Sequence, residues 1–518
     1  MTWILKASLV ALLLLAGCAG PGREDPAANL PASALASQVE DLQRSGDPAN
    51  RIHVVLLGDG YRAEDQAKLS RDARNWLATF VGTPPFANYA SYFNVKVVHV
   101  VSPQDGASNG SHGLGVTRDT VLGATFRNAS PEGVAPDYRL LVVDNARVLA
   151  LAMALAPECT VALVLVNDSK YGGSGGAVPV FSANPASGLI ALHELGHAFG
   201  GLADEYQCGD TSALPATLEA FPNVTARRDP DQIKWRSWIA PGVPLPTPAG
   251  VPGLGLFEGA YFHDTGVFRP RQACRMRSLG DGFCEVCSEA IVRRIYDRVR
   301  PLDPPITPLA ANPLRLSVAR PVPVPDTVRV AWAVDGAAVA GDGDTLVLPA
   351  PLQGNHTVTA TVTDTTPLVR EGLERLTAVQ TWTFGSPQAA RVEPARHLVL
   401  RLVRTPRGFQ VAERRVVDLP LPPDAGRGAW QAEVVGPGGD VQFRTGLEDP
   451  SPLRGEFQHP GESGRIQGRW MEDGRPVSFL VRIPWVEDGE LALFRKVEGA
   501  PRVRLGTVPL GEGVRPAY

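Results

Sequence analysis

The chain has 518 residues, with 50 Lys and Arg against 54 Asp and Glu, so its formal net charge is −4 at pH 7. Because the basic residues are spread along the chain, nothing in the sequence provides an electrostatic footprint for nucleic acid, and no such partner is expected. The length allows roughly two to four domains with ample buried core.

The N-terminus is typical of a bacterial lipoprotein signal. A short, once-charged start precedes an apolar run over residues 7–15, and the sequence LAGC then ends at Cys18. The apolar run is too short to span a bilayer, so residues 1–17 are predicted to be a cleaved signal peptide. Acylation of Cys18 would anchor the mature protein to a membrane. We expect an extracytoplasmic lipoprotein of the outer membrane or cell surface, with residues 18–48 as a tether.

Residues 49–300 are predicted to form one domain in which strands and helices alternate. This alternation favours a mixed sheet covered by helices, an α/β (α+β) fold. Apolar strand patterns cover residues 51–57, 93–101, 140–143 and 161–166, and helical spacing covers residues 63–81, 145–156 and 287–299.

A glycine-rich stretch over residues 171–176 leads into the strand-like run Ala177-Val-Pro-Val-Phe181. Pro179 inside such a run favours the edge of a sheet. An edge strand here would hold a peptide substrate by strand addition. The alternative is an ordinary loop that leads into a short strand.

The most informative stretch is His193-Glu-Leu-Gly-His197, within an apolar helical pattern for which Ser187 is a plausible N-cap. Residues four apart on a helix point in nearly the same direction, so the two imidazoles can bind one metal ion. Glu194 lies beside them and is the candidate general base that activates a metal-bound water. The pattern therefore predicts a site for one zinc ion per chain.

The residues after this helix resemble those of the IgA-peptidase-like metalloproteases, the igalysins, which are grouped with the metzincins. Gly200 stands at the glycine position of the metzincin motif, and Leu-Ala-Asp-Glu-Tyr follows the double glycine. The motif expects its third ligand at Ala203, whereas here the acid comes one residue later. The resemblance implies a metzincin-like zinc protease domain with Asp204 as the third ligand and Glu205 as the runner-up.

Metzincins also carry a methionine in a tight turn below the metal. Met276, in Cys-Arg-Met-Arg, follows a segment that resembles the igalysin lead-in, so the resemblance implies that it forms the Met-turn. Tyr206 or Tyr261 is a candidate to stabilise an oxyanion or contact substrate through its hydroxyl. Packing is the usual use of a tyrosine and is the alternative.

Besides Cys18, five cysteines remain: Cys159, Cys208, Cys274, Cys284 and Cys287. In an extracytoplasmic protein, the four from Cys208 to Cys287 are expected to form disulfides, and Cys159 is left as a buried thiol. Cys284-Glu-Val-Cys287 is also compatible with half of a structural zinc site, which is the alternative interpretation.

Composition changes near residue 301, where a proline-rich linker begins. Short alternating strands then predict an immunoglobulin-like β-sandwich over residues 301–387 and a further β-rich domain over residues 388–518. Neither region presents a cluster of catalytic residue types. Their expected role is that of a spacer or of a binding surface.

Together these features predict a lipid-anchored, extracytoplasmic zinc endopeptidase whose partner is a protein or peptide substrate. Two alternatives stay open. One is a zinc amidase that acts on cell-wall peptides. The other is a binding lipoprotein that keeps a metalloprotease fold without its activity.

Overall fold

The computed structural model describes residues 30, 31, 34, 36–109, 115–128, 138–304, 314–348, 352, 354–384, 396–405, 408–421, 428–450, 453–457, 467–471, 477–486, 488–496 and 501–510. The signal peptide, Cys18 and residues 19–29 of the predicted tether lie outside these residues. Gln38–Gln43, also within the predicted tether, form a strand that pairs with residues 95–99, so this part is no tether. Within the described part of the chain, no helix is long and apolar enough to cross a membrane.

An eight-stranded mixed sheet forms the centre of the first half of the chain. Its order is β1-β3-β2-β6-β8-β7-β5-β4. Strand β2 runs parallel to β3 and β6, and β6 runs parallel to β8, whereas β1 and β4 pair antiparallel at the two edges. The strands are β1 (Gln38–Gln43), β2 (Ile52–Asp59), β3 (Phe93–His99), β4 (Thr125–Arg127), β5 (Leu140–Val142), β6 (Val161–Val166), β7 (Gly173–Ser174) and β8 (Val180–Ser182).

Helices cover both faces of this sheet because its central strands are apolar on both sides. In β2, Val54 and Leu56 contact one core, and Val55 and Leu57 contact the other, as the two-residue repeat of a strand requires. Helices α1, α3 and α4 pack against the first face, and α2 packs against the second. Their bounds are α1 (Gln66–Gly82), α2 (Asn145–Leu155), α3 (Ser187–Ala198) and α4 (Glu285–Tyr296). The predicted mixed α/β class is confirmed.

Two local predictions are wrong. The run that contains Pro179 is no sheet edge, because β8 lies between β6 and β7. Pro179 precedes the strand, and its carbonyl accepts a hydrogen bond from the Val164 amide at 2.9 Å. Ser187 does not cap its helix: it is the first helical residue, and its buried hydroxyl bonds to the Ser182 hydroxyl at 2.9 Å.

A hairpin of β9 (Phe257–Ala260) and β10 (His263–Arg269) lies between α3 and α4 in the sequence. Beyond α4 the described residues form small antiparallel sheets: β11-β14, β13-β12-β15-β16, β18-β17-β23, β20-β19-β24-β25 and the hairpin β21-β22. The immunoglobulin-like and metzincin-like assignments and the domain limits stay predictions.

The strands of these sheets are β11 (Leu314–Ser317), β12 (Val328–Val334), β13 (Ala337–Val339), β14 (Thr345–Leu348), β15 (His356–Asp364), β16 (Thr377–Phe384), β17 (His397–Thr405), β18 (Gly408–Val417), β19 (Trp430–Val435), β20 (Val441–Leu447), β21 (Leu453–Phe457), β22 (Gln467–Met471), β23 (Val477–Pro484), β24 (Glu490–Arg495) and β25 (Val503–Pro509).

Both C-terminal parts pack on the first half of the chain. Val369 and Leu376 are buried in the same core as α1, α3 and α4. Glu448, just after β20, forms an ion pair with Arg294 of α4. A cavity of about 280 Å³ separates this region from the end of α3, where Phe199 forms part of its wall.

Candidate active site

Helix α3 carries His193, Glu194 and His197 in a buried position. Their exposed fractions are 0%, 0% and 5%. The surrounding helix is apolar because it packs between the sheet and α4, so its polar side chains point into a closed site. The helix ends where Gly201 adopts a φ of 64° and donates its amide to the His197 carbonyl at 3.0 Å. This turn brings Asp204 back towards the histidines.

His193, His197 and Asp204 converge on one point. The two Nε2 atoms are 2.9 Å apart, and Asp204 Oδ1 lies 3.2 Å from His193 Nε2 and 3.1 Å from His197 Nε2. Tetrahedral zinc with bonds of about 2.0–2.1 Å separates its nitrogen and oxygen ligands by roughly 3.3 Å. The triangle of ligand atoms therefore has the dimensions of a zinc site.

Backbone carbonyls fix which nitrogen of each imidazole carries the proton. His193 Nδ1 lies 2.8 Å from the Arg275 carbonyl, and His197 Nδ1 lies 2.7 Å from the Leu202 carbonyl. Since a carbonyl only accepts, each Nδ1 must donate, so in the neutral form of each imidazole Nε2 carries a lone pair that points towards the other ring. Two lone pairs 2.9 Å apart repel each other unless a cation, either a proton or a metal ion, lies between them. The second hydrogen bond of each imidazole thus prepares it for a metal.

Adjacent carboxylates lie in two different environments. Burial works to raise the pKa of Asp204, but His197 and His193, when they are protonated, hold that pKa well below its usual range through their charge and hydrogen bonds. Burial, together with the neighbouring Cys274 thiol, raises the pKa of Glu205 well above its usual range. The structure thus places Asp204 with the histidines and Glu205 outside that group.

Asn223 holds the loop that carries these two carboxylates. Its side chain accepts a hydrogen bond from the Ala203 amide at 2.8 Å and donates to the Ala203 carbonyl and to Glu205 Oε1 at 2.8 and 2.9 Å. Asn223 is not among the site residues predicted from the sequence. An Asn in a proline-rich segment gives no signal that it spans 18 to 20 residues to reach the ligand loop.

Glu194 lies against the backbone of the glycine-rich stretch. A Cβ atom built on Gly175 would be 1.6 Å from Glu194 Oε2, so any side chain at that position would displace the Glu194 carboxylate. The stretch after β7 therefore forms one wall of the pocket that holds the Glu194 carboxylate. Its glycines allow the backbone to approach the candidate base.

Met276 lies directly beneath α3. It is fully buried, and its Sδ atom is close to Gly196, where a Cβ would come within 2.6 Å. The backbone around it also touches the site, because the Met276 carbonyl accepts from the Glu205 amide at 2.7 Å and the Arg275 carbonyl accepts from His193. Its role as the Met-turn stays a prediction.

Tyr206 and Tyr261 are both buried next to the ligand loop. Tyr206 packs edge-on against Phe262, and Tyr261 packs against Phe221 and Phe262. Tyr261 and Phe262 have φ values of 49° and 68°, and the Tyr261 amide donates to the Asp204 carbonyl at 3.0 Å. Such strained backbone is typical of functional sites. A role for either hydroxyl stays a prediction.

The predicted disulfides are not seen among the described cysteines. Cys274, Cys284 and Cys287 are buried together, and their partner is the carboxylate of Glu205. Cys208 is exposed, and Cys159 lies in the core on the other face of the sheet, where burial raises its pKa to about 12. Only Cys274 lies beside the Cys284–Cys287 pair, and the spacing of Cys208 and Cys274 in the sequence does not predict this difference.

Comparison with protein families decides where this chain belongs. Residues 40–254 and 249–295 match the model of the IgA peptidase M64 family. The chain belongs to the IgA peptidase M64 family. The matched region contains strands β2 to β8, helices α1 to α3, most of β1 and α4, and the candidate ligands His193, His197 and Asp204. Membership supports a peptidase, a hydrolase of peptide bonds. No curated protein matches the chain.

Proposed function

We propose that this member of the M64 family is an extracytoplasmic, lipid-anchored zinc endopeptidase. His193, His197 and Asp204 hold the zinc ion, and Glu194 is the general base. The proposal is carried by one observation: the Nε2 atoms of two imidazoles, whose Nδ1 atoms both contact backbone carbonyls, lie within 3.2 Å of each other and of a buried carboxylate oxygen. Two imidazole nitrogens and one carboxylate oxygen are typical ligands of a zinc ion.

When bound, the metal lowers the pKa of a coordinated water and polarises the scissile carbonyl. Glu194 takes the proton of the attacking water on its carboxylate and passes it to the nitrogen of the departing amine. One C–N bond breaks and one C–O bond forms, and no other reactant is needed. Burial of Glu194 excludes bulk water from the proton transfer.

Peptidase membership and the buried base favour a protein or peptide as substrate. The family's name records immunoglobulin A, and this name alone does not make immunoglobulin the substrate here. A peptide library, which presupposes no cleavage sequence, is therefore the appropriate probe.

The test is digestion of an unmodified peptide library by the full chain, with and without a metal chelator, next to His193→Ala and Asp204→Ala. We expect internal cleavage by the wild type, loss with chelator, recovery with zinc, and no cleavage by either variant. Cleavage that survives chelation or His193→Ala would overturn the proposal. Release of amines only from intact cell-wall peptides would favour the amidase alternative.

Anchoring rests on the sequence of the N-terminus. In the bacterial host, we expect wild-type protein to fractionate with membranes and to carry a lipid-modified Cys18 by mass spectrometry. Cys18→Ser should release it from the membrane. A mature N-terminus elsewhere than Cys18 would contradict this part of the proposal.

A further inference from the structure

Three buried cysteines and one glutamate form a second group outside the histidine site. The ligand atoms of Glu205, Cys274, Cys284 and Cys287 all lie within 4.8 Å of one another. They come from three segments: the loop after α3, the turn that contains Met276, and the first turn of α4. The exposed fraction of each is 4% or less.

The distances within this group are those of metal ligands. Cys274 Sγ lies 3.6 Å from Cys287 Sγ, and Cys287 Sγ lies 3.1 Å from Glu205 Oε1. Tetrahedral zinc with Zn–S bonds of about 2.3 Å separates two sulfur ligands by roughly 3.8 Å. A disulfide would require about 2.0 Å. The spacing therefore fits zinc and shows no S–S bond between this pair.

The surroundings support the same assignment. The Cys284 amide donates to Cys274 Sγ at 3.4 Å, which favours a thiolate there, and Asn223 holds Glu205 Oε1. Glu205 Oε2 is buried and accepts no hydrogen bond from the residues that the structure describes. A buried set of three sulfurs and a carboxylate is costly without a cation.

We propose that Glu205, Cys274, Cys284 and Cys287 bind a second zinc ion with a structural role. Four protein ligands close the coordination shell, which is the pattern of structural rather than catalytic zinc. Binding deprotonates the three thiols, and those protons pass to solvent. No oxidant or reductant takes part. The chain would then hold two zinc ions instead of the single ion expected from its sequence.

The position of the second ion indicates a structural role. It would join the turn that contains Met276 to α4 and to the ligand loop. The turn that contains Met276 also supplies the Arg275 carbonyl for His193, and the ligand loop supplies the carboxylate of Asp204. The ion would therefore hold the floor of the catalytic centre without touching the substrate.

The test is the metal content per chain of the purified full-length protein and its variants, measured by elemental mass spectrometry. We expect two zinc ions in the wild type, one in His193→Ala, one in Cys284→Ser and none in the double variant. Cys208→Ser is the matched control, since its side chain is exposed, and should keep two. One ion in the wild type that His193→Ala removes would overturn the proposal, and so would two ions that Cys284→Ser retains.

A second readout covers the case in which Cys284→Ser does not fold. The histidine centre contains no sulfur ligand, so a sulfur-to-cobalt charge-transfer band in cobalt-substituted His193→Ala would report only the cysteine group. We expect this band. We also expect the thiols of Cys274, Cys284 and Cys287 all to react with a thiol reagent after the protein is denatured in the presence of a chelator. Absence of the band, or an intact mass lower by two hydrogens, would show that the cysteines bind no metal or form a disulfide.

Discussion

At Gly175 the backbone approaches the carboxylate of the candidate base Glu194 closely. Its ideal Cβ would lie 1.6 Å from Glu194 Oε2 and 2.3 Å from Glu194 Cδ, so any side chain displaces the carboxylate. A displacement of about 1 Å can reduce the rate of an enzyme by roughly 10²-fold. We expect Gly175→Ala to lower kcat/KM for peptide cleavage by about 10²-fold while the zinc content stays unchanged.

Gly188→Ala is the control for that change. It lies in the first turn of α3, and its ideal Cβ would only reach Trp76 at 3.9 Å, which is ordinary contact. We expect wild-type kcat/KM from it. Full activity in Gly175→Ala would mean that the position of Glu194 does not limit the reaction, contrary to its role as base.

At the scale of the element, the backbone at the end of α3 holds the Leu202 carbonyl that orients the imidazole of His197. A Cβ on Gly200 would lie 2.6 Å from the Gly196 carbonyl oxygen and 3.1 Å from Ile291 Cγ1. Either the helix end or α4 must move, and with it the Leu202 carbonyl that binds His197 Nδ1. Loss of such a partner typically costs about 10- to 100-fold in metal affinity.

We therefore expect Gly200→Ala to need about 10- to 100-fold more free zinc than the wild type to recover peptide cleavage after chelation. Gly82→Ala is the control, because Gly82 ends α1 with open space around its ideal Cβ position. Equal zinc requirements for Gly200→Ala and the wild type would contradict the proposed role of the helix end.

The elements also show how far the sequence alone can predict this molecule. Strand β6 and helix α3 follow from local patterns, because apolar runs and four-residue spacing act within a few residues. The pairing of β8 with β7 was missed, since strand order depends on contacts outside the run itself. For the same reason the cysteine group was interpreted as disulfides: Glu205 and Cys287 meet across 82 residues.

At the scale of the whole molecule, the β-rich part beyond α4 packs on the core that holds the candidate site. Asp364, at the end of β15, is 2% exposed and accepts hydrogen bonds from Tyr89 at 2.8 Å and from Tyr296 at 2.6 Å. Tyr296 ends α4, which also carries Cys287. The segment predicted to be a spacer or a binding surface is therefore part of the support for the site.

We expect Asp364→Ala to lower the free energy of unfolding by about 3 kcal/mol, since two buried hydroxyls lose their acceptor. The thermal transition of the catalytic part, followed by loss of peptide cleavage on heating, should move to lower temperature with it. Glu374→Ala is the control because its side chain is 75% exposed. An unchanged transition in Asp364→Ala would mean that the two parts are energetically independent.

The most direct test of the proposed mechanism is the rate at which Glu194→Gln cleaves the best library peptide, with its zinc content matched to the wild type. Glu64→Gln, an exposed position, is the control. We expect the Glu194→Gln rate to fall by at least about 10²-fold, because the carboxamide cannot accept the proton of water. An unchanged rate at equal zinc content would contradict the assignment of Glu194 as the base and, with it, the mechanism proposed for this site.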